Sequence, residues 1–374
     1  MTNLSELTSM RVGGAARAML APATADELVE SALDVWGIGE DWFVLGGGSN
    51  LVVADEGFDG TVIRVVTRGI RELETTGDTV RLRVEAGEPW DDLVAYTVAN
   101  SLSGIEALSG IPGSCGAAPV QNIGAYGQEI ASSLVAIDFV DYLSGERERI
   151  PAADLGLDYR TSALKQGRRG LVLAIELELT RSADGLSAPV AYAQLSSALG
   201  VELGDRVPVA RVRETVLALR ASKGMVLDDA DPDTWSAGSF FTNPIVSAAF
   251  ARTLPADAPR WPQEDPPQDL VVPLGDQWEV AEAIEREAAA RRRREPAGVK
   301  LSAAWLIERS GVRRGFRLPG SGAAVSSKHT LALTNRGTAT AEDVAALARY
   351  VQGRVMSEHG VILQPEPVLV GLAL

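Results

Sequence analysis

The segment from Gly104 to Ile130 restricts the fold of this chain more than any other stretch. It contains six glycines, two prolines and almost no charge, and glycine and proline weaken both helices and strands. A second glycine-rich segment, Leu45–Leu51, follows a short apolar run at Trp42–Val44 that predicts a buried strand. Glycine-rich loops let the backbone approach a ligand closely. Two such loops therefore predict a phosphate-bearing cofactor that is held mainly by backbone N–H groups.

Length and composition indicate a globular protein of two or three domains. The chain has 374 residues, of which 46% are hydrophobic, and a mean hydropathy of +0.05. Its apolar runs are too short for a membrane span, and the first ten residues lack the pattern of a signal peptide. We therefore expect a cytoplasmic protein, and we expect it to be a monomer. A net charge of −15 argues against nucleic acid as a partner.

Cysteine and histidine give no sign of a metal or disulfide site. Cys115 is the single cysteine, so no intrachain disulfide forms, and its small neighbours favour a packed side chain over a nucleophile. The two histidines, His329 and His359, have no motif around them. We interpret both as structural or surface residues.

The periodicity of the apolar residues predicts a mixture of helices and strands. Thr24 and Glu27 form a capping-box pattern at the start of a helix, and Thr340 and Asp343 form another. A polar stretch at 182–189 marks a domain boundary, and a segment at 254–273 that is rich in proline and acidic residues predicts a loop or insertion. Further predicted elements are helices at 24–35, 90–102, 209–219, 277–295, 301–310 and 340–358, and strands at 42–44, 51–54, 62–66, 80–84, 134–142, 171–179 and 330–334.

The loop motifs can be compared with known phosphate-binding patterns. Gly46–Asn50 (GGGSN) lacks the Gly-Lys-Ser/Thr ending of a P-loop and the spacing of a dinucleotide fingerprint, so an ATPase or a Rossmann enzyme fits poorly. By itself this loop is as well explained by a tight turn between two strands. Paired with Ser109–Gly127, it predicts a clamp on the two phosphates of a dinucleotide. The order of strands and loops favours flavin over nicotinamide as the tightly held group.

Six segments together resemble one family. They are LGGGSNLVVADEGFDGTVIRV, GIEALSGIPGSCGAAPVQNIGAYGQEI, YRTSALK, AGSFFTNPIV, SAAWLIERSG and ILQPEP. In order and at compatible spacing, from about Thr8 to Glu366, they are similar to the UDP-N-acetylenolpyruvoylglucosamine reductase (MurB) family. Six motifs in register are far more specific than a single glycine loop.

The resemblance implies an α+β fold with a two-part FAD-binding region of the vanillyl-alcohol-oxidase (PCMH-like) type, followed by an α+β substrate-binding domain. The expected division is 1–66 and 67–185 for the two FAD-binding subdomains and 186–374 for the substrate domain, with an insertion near 264–295 and a C-terminal strand that returns to the FAD site. The family uses NADPH to reduce UDP-N-acetylglucosamine enolpyruvate to UDP-N-acetylmuramate in peptidoglycan precursor synthesis. Hydride passes from NADPH to FAD and then to the substrate.

The family's catalytic residues correspond to three positions here. Ser239 matches the proton donor, Arg160 the catalytic arginine and Glu366 the catalytic glutamate. A hydroxyl can protonate a basic enolate-like intermediate, a fixed guanidinium can stabilise its charge, and a buried carboxyl can stay protonated as a hydrogen-bond donor. Outside their motifs, these residues would be read as a turn serine, a surface ion-pair partner and a polar edge-strand residue.

The resemblance also implies binding residues. For the nucleotide-sugar substrate they are Tyr192, Lys223 and Asn243, and Tyr192 indicates the branch of the family with a tyrosine-bearing loop (type I). For FAD they are Gly46, Gly47, Gly48, Ser49, Asn50, Leu51, Gly110, Pro112, Gly113, Gly116, Gln121, Asn122, Gly124, Ala125 and Tyr126.

Two alternatives remain open from the residues. One is another FAD-dependent oxidase or dehydrogenase of the same fold, which would keep the glycine loops without needing Ser239 and Glu366 together. The other is a non-catalytic nucleotide-sugar binding protein. Arg309 stands where the family pattern has an uncharged amide, which affects the contacts expected on the uridine side. The arginine run at 291–294 is best explained as part of a solvated charged helix.

Overall fold

The computed structural model describes residues 2–263 and 298–374. The predicted insertion at 264–295, the helix predicted at 277–295 and the arginine run at 291–294 lie outside the described residues. Two compact units are present. The first comprises Met1–Phe240, Arg314–Arg349 and Glu366–Leu374, and the second comprises Phe241–Arg313 and Tyr350–Pro365. The predicted three-part domain division stays a prediction.

The described residues contain seven α-helices. They are α1 Ala25–Ile38, α2 Trp90–Ala99, α3 Ala193–Leu199, α4 Val209–Ser222, α5 Ala248–Ala251, α6 Ala303–Arg309 and α7 Ala341–His359. Both predicted capping boxes are present. At α1 the Thr24 side chain accepts a hydrogen bond from Glu27 N, and the Glu27 side chain accepts one from Thr24 N. At α7 the side chains of Thr340 and Asp343 exchange the same two hydrogen bonds with each other's backbone N–H groups. In α4 the predicted apolar face buries Val209, Val212 and Val216.

The strands are short except in one sheet. They are β1 Ala16–Leu20, β2 Trp42–Leu45, β3 Leu51–Val53, β4 Phe58–Arg64, β5 Ile70–Thr76, β6 Thr79–Glu85, β7 Leu102–Ser103, β8 Gly124–Ala125, β9 Gln128–Glu129, β10 Leu134–Asp141, β11 Arg147–Pro151, β12 Gly170–Arg181, β13 Ile245–Val246, β14 Arg260–Gln263, β15 Gly298–Leu301, β16 Ala323–Val325, β17 Leu333–Asn335 and β18 Val368–Val370.

Parallel pairing organises the start of the first unit. β1, β4 and β2 form a three-stranded parallel sheet in that order. β3 pairs in parallel with β18, so that Leu51 lies opposite Val368. Because strands of this kind are buried on both faces, their sequences are near-continuous apolar runs, as Leu51–Val53 shows. The C-terminal strand thereby reaches the end of the first glycine loop.

The second part of the first unit is an antiparallel sheet. Its strand order is β11-β10-β12-β6-β5, and β7 pairs with the end of β12. Along β12 the apolar residues predicted to alternate, including Leu173, Ile175 and Leu177, are all buried. They join Trp90 and Leu93 of α2 in the largest hydrophobic core of the described residues. This core supports the long glycine-rich segment, which runs from β7 to the start of β10.

The second unit contains a small antiparallel sheet, β13-β15-β14, with α5 and α6. Two sequence-based predictions need correction in position. The loop predicted at 254–273 contains β14, because Arg260–Gln263 pairs with Gly298–Leu301, a partner distant in sequence. In the first unit the strand predicted at 330–334 is observed at Leu333–Asn335, where it pairs with Ala323–Val325. No helix in the described ranges is both long and apolar enough to cross a membrane.

Candidate active site

A cavity of about 500 Å³ in the first unit brings together both glycine-rich segments and the three predicted catalytic residues. Arg160, Ser239 and Glu366 all line it. The predicted FAD-binding residues that also line it are Gly46, Gly47, Gly48, Ser49, Asn50, Leu51, Pro112, Gly113, Gln121 and Gly124. Segments that are far apart in sequence therefore converge on one cavity.

The glycines of the first loop allow the two glycine-rich segments to touch through their backbones. A Cβ atom on Gly47 would lie 2.6 Å from Gly113 Cα, and one on Gly48, whose φ is +63°, would lie 2.0 Å from the carbonyl oxygen of Leu7. Within the described residues, the N–H groups of Gly46, Gly47 and Gly48 donate no hydrogen bond. Open backbone donors beside a cavity are what a phosphate group needs. The loop thus fits the diphosphate of FAD.

Side chains from the same loops hold this arrangement together. Ser49 Oγ donates to the Pro112 carbonyl at 2.9 Å, which joins the first loop to the second. Asn50 Nδ2 donates to Gln121 Oε1 at 2.8 Å and to the Glu366 carbonyl at 3.3 Å. Asn50 therefore ties both glycine-rich segments to the C-terminal segment that carries Glu366 and precedes β18.

The remaining predicted FAD-binding residues shape the second segment outside the lining of this cavity. Gly110 N donates to Asp91 Oδ1 at 2.6 Å, and Asn122, whose φ is +44°, donates through Nδ2 to Glu129 Oε2 at 2.9 Å. A Cβ on Gly116 would lie 2.5 Å from the Cβ of Ala86. The members of this set are Gly110, Gly116, Asn122, Ala125 and Tyr126. Their contact with the cofactor stays a prediction.

Arg160 is fixed by the second glycine-rich segment. Its Nη1 donates to the Asn122 carbonyl at 3.2 Å, and its Nη2 donates to the Gly124 carbonyl at 2.9 Å. Its Nε lies 3.3 Å from Glu366 Oε1. The Arg160 backbone has a φ of +53°, a conformation that is uncommon outside glycine and that often occurs at functional sites. Each of the three guanidinium nitrogens therefore has a partner.

Glu366 is positioned by the backbone on both sides of it. Its N–H donates to the Phe240 carbonyl at 2.9 Å, and Val368 N donates to the Asn50 carbonyl at 3.0 Å. Burial raises the pKa of the Glu366 carboxyl, while the positive charges of Arg160 and Lys165 act in the opposite direction. The 3.3 Å ion pair alone would suggest a lowered pKa, but the side chain is only 12% exposed and desolvation is the larger effect. Glu366 therefore holds a proton more readily than an ordinary glutamate.

Ser239 follows Gly238, whose φ is +75°, and precedes the buried Phe240. Phe240 N donates to the Leu331 carbonyl at 2.7 Å, which anchors the segment one residue from the serine. In the described part of the chain the Ser239 hydroxyl makes no hydrogen bond. The hydroxyl is therefore available to donate a hydrogen bond to a bound molecule.

Two of the predicted substrate-binding residues lie together. Lys223 Nζ donates to Gln194 Oε1 at 2.9 Å and lies 5.6 Å from the ring centroid of Tyr126. Tyr126 in turn meets Tyr192 edge to face, with ring centroids 5.8 Å apart. Burial is the main cause of a lowered pKa at Lys223 and of a raised pKa at Tyr126. Tyr126, predicted as a cofactor residue, is thus grouped with the predicted substrate residues.

The third predicted substrate residue, Asn243, belongs to the second unit. Its Oδ1 accepts a hydrogen bond from Ala303 N at 3.0 Å, at the start of α6. Cys115 is fully buried, and burial raises the pKa of its thiol well above the usual range. A packed side chain was predicted at this position, and the structure agrees.

Two cationic residues of the cavity were missed by the sequence analysis. Lys165 and Arg220 both line it. Each lies inside a segment that carries a predicted residue, Lys165 in the YRTSALK motif and Arg220 three residues before Lys223. Helical spacing places positions i and i+3 on the same side of a helix, which could have suggested Arg220. Its burial depends on packing that no local pattern reveals.

Two family models each match a part of the chain. Residues 16–150 match the family described as FAD binding domain, and residues 231–370 match the family described as UDP-N-acetylenolpyruvoylglucosamine reductase, C-terminal domain. The UDP-N-acetylenolpyruvoylglucosamine reductase of Leifsonia xyli subsp. xyli is 60% identical over 377 residues, covering 99% of this chain and 98% of the relative. That of Salinispora arenicola is 47% identical over 379 residues, covering 100% and 95%.

A solved structure has a similar fold. The UDP-N-acetylenolpyruvylglucosamine reductase (MurB) from Thermus caldophilus aligns with a TM-score of 0.62 and 25% identity over 99% of this chain and 97% of its own. The α+β fold and the paired glycine loops define an FAD-dependent oxidoreductase. The chain belongs to the UDP-N-acetylenolpyruvoylglucosamine reductase family. The family, the fold class and the FAD cofactor predicted from the sequence are confirmed.

Proposed function

We propose that Arg160, Ser239 and Glu366 carry out the NADPH-dependent reduction of UDP-N-acetylglucosamine enolpyruvate to UDP-N-acetylmuramate, a step in peptidoglycan precursor synthesis. The observation that supports these roles is the convergence of the three side chains on the cavity lined by both glycine loops. FAD, when bound, supplies hydride transfer from NADPH to the substrate. The protein's own residues must bind the anionic substrate, stabilise the charge that develops beside its carboxylate and deliver a proton.

Ser239 is the proposed proton donor. Hydride addition to the enolpyruvyl group leaves negative charge on the carbon beside the carboxylate, and that carbon must then be protonated. A hydroxyl is a weak acid, but a carbanion or enolate is basic enough to accept its proton when the geometry is fixed. The buried Phe240 next to Ser239, anchored by Leu331, supports such fixed geometry. The Ser239 hydroxyl then regains a proton from solvent.

Glu366 and Arg160 form the proposed charge-stabilising pair. Because burial raises the pKa of Glu366, its carboxyl can donate a hydrogen bond to an enolate oxygen. Arg160 keeps Glu366 in position through the 3.3 Å contact and keeps positive charge beside the reacting group. Two backbone carbonyls hold the guanidinium, so little reorganisation is needed as charge develops.

The nucleotide end of the substrate is assigned to Lys223, Tyr192 and Asn243. Lys223 can meet the diphosphate as a point charge, while Tyr192 and Asn243 offer neutral hydrogen bonds. We further propose that residues 1–66 and 67–185 hold FAD and that 186–374 binds the substrate. The cytoplasmic location and the monomeric state also remain proposals. Sedimentation analysis of the purified protein tests the second of these.

The reaction can be tested in two halves. Under anaerobic conditions NADPH is expected to bleach the visible absorbance of the oxidised flavin, and the enolpyruvyl substrate is expected to restore it. Ser239→Ala should leave the first half within about twofold and slow the second by roughly 10²-fold or more, the range for loss of a general acid. Stopped-flow absorbance measures both rates on one sample.

The control is Ser144→Ala, which removes a hydroxyl from an exposed turn between β10 and β11. It should change neither rate. An equal loss in both halves for Ser239→Ala would assign Ser239 a structural role. A colourless protein that cannot be reconstituted with FAD would contradict the function itself.

A further inference from the structure

Ser9 lies between the first glycine loop and the turn at 236–240, and it is buried, with 7% of its surface exposed. Its N–H donates to the Gly48 carbonyl at 3.1 Å. Its Oγ donates to the Ser236 carbonyl at 2.6 Å, and the Ser49 carbonyl lies 3.4 Å from the same oxygen. Because a hydroxyl carries one proton, the shorter contact, to Ser236, is the main hydrogen bond. A single buried residue therefore contacts both the cofactor loop and the turn.

This turn carries the proposed proton donor, Ser239, between two attached ends. At one end Phe240 is buried, and its carbonyl accepts a hydrogen bond from Glu366 N at 2.9 Å. At the other end the Ser236 carbonyl accepts the hydrogen bond from the Ser9 hydroxyl. Ser239 is therefore held from one side by the segment of Glu366 and from the other side by Ser9.

The residues that follow Ser9 are themselves fixed. Met10 is fully buried, and Asn335 Nδ2 donates to the Met10 carbonyl at 3.2 Å and to the Arg11 carbonyl at 3.1 Å. The Arg11 guanidinium lies over the Trp235 ring, 4.1 Å from its centroid. Since the backbone around Ser9 is held in this way, its hydroxyl is a fixed contact and does not adapt to movement of its partners.

The chemistry requires a set distance between the first glycine loop and Ser239. The loop holds the cofactor, the flavin delivers hydride to the substrate, and Ser239 must then protonate the neighbouring carbon. A misplacement of about 1 Å can reduce the rate of such a step by roughly 100-fold. Asn50 already links the loop to the segment of Glu366. Ser9 makes the corresponding link from the loop to the turn of Ser239.

We propose that Ser9 is a positioning residue, whose buried hydroxyl sets the distance between the FAD-binding loop and Ser239 and thereby controls proton delivery. The proposal rests on the proposed function, because Ser239 is the proposed proton donor. Ser9 does not line the active-site cavity, so it acts through the backbone of the turn and does not contact the reacting atoms.

Ser9→Ala is the first test. Under anaerobic conditions, reoxidation of the reduced flavin by the enolpyruvyl substrate should slow by roughly 10-fold, because Ser239 is less well placed. Reduction by NADPH needs no proton from Ser239 and should stay within about twofold. The dissociation constant of FAD should change by less than about threefold. Stopped-flow absorbance measures the two rates, and quenching of flavin fluorescence measures the dissociation constant.

A double-mutant cycle with Ser239→Ala shows whether Ser9 acts through Ser239. In the Ser239→Ala background, Ser9→Ala should change the residual reoxidation rate by less than about twofold, because the group that it positions is already absent. A general structural defect would instead slow reoxidation by the same factor in both backgrounds. The two outcomes differ in the interaction between the substitutions, which a loss of stability alone does not produce.

Ser103→Ala is the matched control. Ser103 is also a buried serine, its Oγ donates to the Thr180 carbonyl at 3.3 Å, and it does not line the cavity. The variant loses the same kind of hydrogen bond, so it should lower the melting temperature and change neither half-reaction. If Ser9→Ala does not fold, Ser9→Thr and Ser9→Val decide the question. They have similar shapes and differ in the hydroxyl, so reoxidation should be slower in Ser9→Val than in Ser9→Thr.

Three results would overturn the proposal. Normal reoxidation in Ser9→Ala would show that the hydroxyl does not position the proton donor. Equal slowing of both half-reactions, or a large loss of FAD affinity, would assign Ser9 to the cofactor loop alone. Equal slowing in the wild-type and Ser239→Ala backgrounds would show that Ser9 does not act through Ser239. Normal reoxidation in Ser239→Ala would instead contradict the proposed function, and it is measured in a variant whose Ser9 is intact.

Discussion

Glu366 experiences two opposing electrostatic effects, and their balance decides its chemistry. Desolvation raises its pKa, whereas Arg160 and Lys165 favour the ionised form. A fully ion-paired carboxylate could only accept hydrogen bonds, but a protonated carboxyl can also donate one to an enolate. The contact from Asn50 to the Glu366 carbonyl and the contact from Glu366 N to Phe240 fix the backbone, so the side chain alone responds to protonation.

Glu366→Gln separates protonation from hydrogen bonding. The amide keeps the size of the side chain but cannot titrate, so we expect reduction by NADPH to be retained. Reoxidation by the enolpyruvyl substrate should slow by roughly 10²-fold, as for loss of an acid–base group. In the wild type the reoxidation rate should fall as pH rises through the raised pKa of Glu366, because the proton is lost. That alkaline limb should be missing in the variant.

Stopped-flow rates of both half-reactions from about pH 5 to about pH 8, the interval in which proteins tend to be most stable, provide the measurement. Arg349→Lys, on the exposed part of α7, is a suitable control because Arg349 does not line the cavity and pairs with Glu342. A normal second half-reaction in Glu366→Gln would remove this residue from the mechanism.

At the scale of elements, the contact between the two glycine-rich segments is the basis of the site. Gly47 meets Gly113 through backbone atoms, and neither neighbour is a flexible side chain that could move aside. Ser49 and Asn50 then tie the first loop to the second segment and to Glu366. A change that separates the loops should therefore affect cofactor binding before it affects the rest of the fold.

Gly47→Ala tests this contact. Its Cβ would lie 2.6 Å from Gly113 Cα, so the loops must shift apart, and we expect the dissociation constant of FAD to rise by at least about 100-fold. Titration of flavin-free protein with FAD, followed by quenching of flavin fluorescence, measures the constant. Gly37→Ala, within α1 and with no heavy atom within 4 Å of the added Cβ, is the control. It should keep FAD affinity and stabilise the helix by about 0.5–1 kcal/mol. Unchanged affinity in Gly47→Ala would show that the loop contact does not shape the site.

Local patterns predicted most of the elements but few of their partners. The Thr24 capping box and the alternation along β12 depend on neighbours in sequence, and both were predicted. The pairing of Val368 with Leu51 joins residues more than 300 positions apart, and the apolar run at the C-terminus gave no indication of which strand it would meet. For the same reason β14 was missed, since Arg260–Gln263 is extended only through its pairing with β15.

The residues of the site show the same difference between local patterns and contacts that are distant in sequence. Ser239, Arg160 and Glu366 were predicted as site residues because family motifs carry them, and the structure brings all three to one cavity. Arg220 carries no motif of its own. Its Nε is buried without a hydrogen-bond partner, and the nearby Asp91 is paired with Arg213 instead. Both features depend on packing in three dimensions. Sequence patterns predict residue types at a site better than they predict which of its groups are left without partners.

At the scale of the whole molecule, positive charge is concentrated at the site of a strongly acidic protein. The net charge is −15, yet three of the four charged residues that line the cavity are cationic. Lys223 adds positive charge to this region, since its charge and that of Arg220 both act on the His329 imidazole. Local charge of this sign attracts an anionic substrate despite overall repulsion, and it opposes protonation of any group nearby.

The positive charges near the cavity also affect the stability of the protein in acid, because they act on His329. Burial first, and then the charges of Lys223, Arg220 and Arg314, lower its pKa from 6.5 to about 4. Between these two values the unfolded chain binds a proton that the folded protein does not, so this residue makes the free energy of unfolding decrease as the pH falls. The contribution is present in full above pH 6.5 and is lost toward pH 4, with a total of up to about 3 kcal/mol.

His329→Gln should remove this dependence. Relative to the wild type, the variant is expected to gain stability steadily as the pH is lowered from 7 to about 4, because it has no imidazole to protonate in the unfolded state. Urea unfolding of the FAD-loaded proteins at a series of pH values measures the difference. His359, the protein's one other histidine, is present in both proteins, so its titration cancels. A constant difference in unfolding free energy across this range would show that His329 is protonated equally in the folded and unfolded states, and that the cations around it do not restrain its charge.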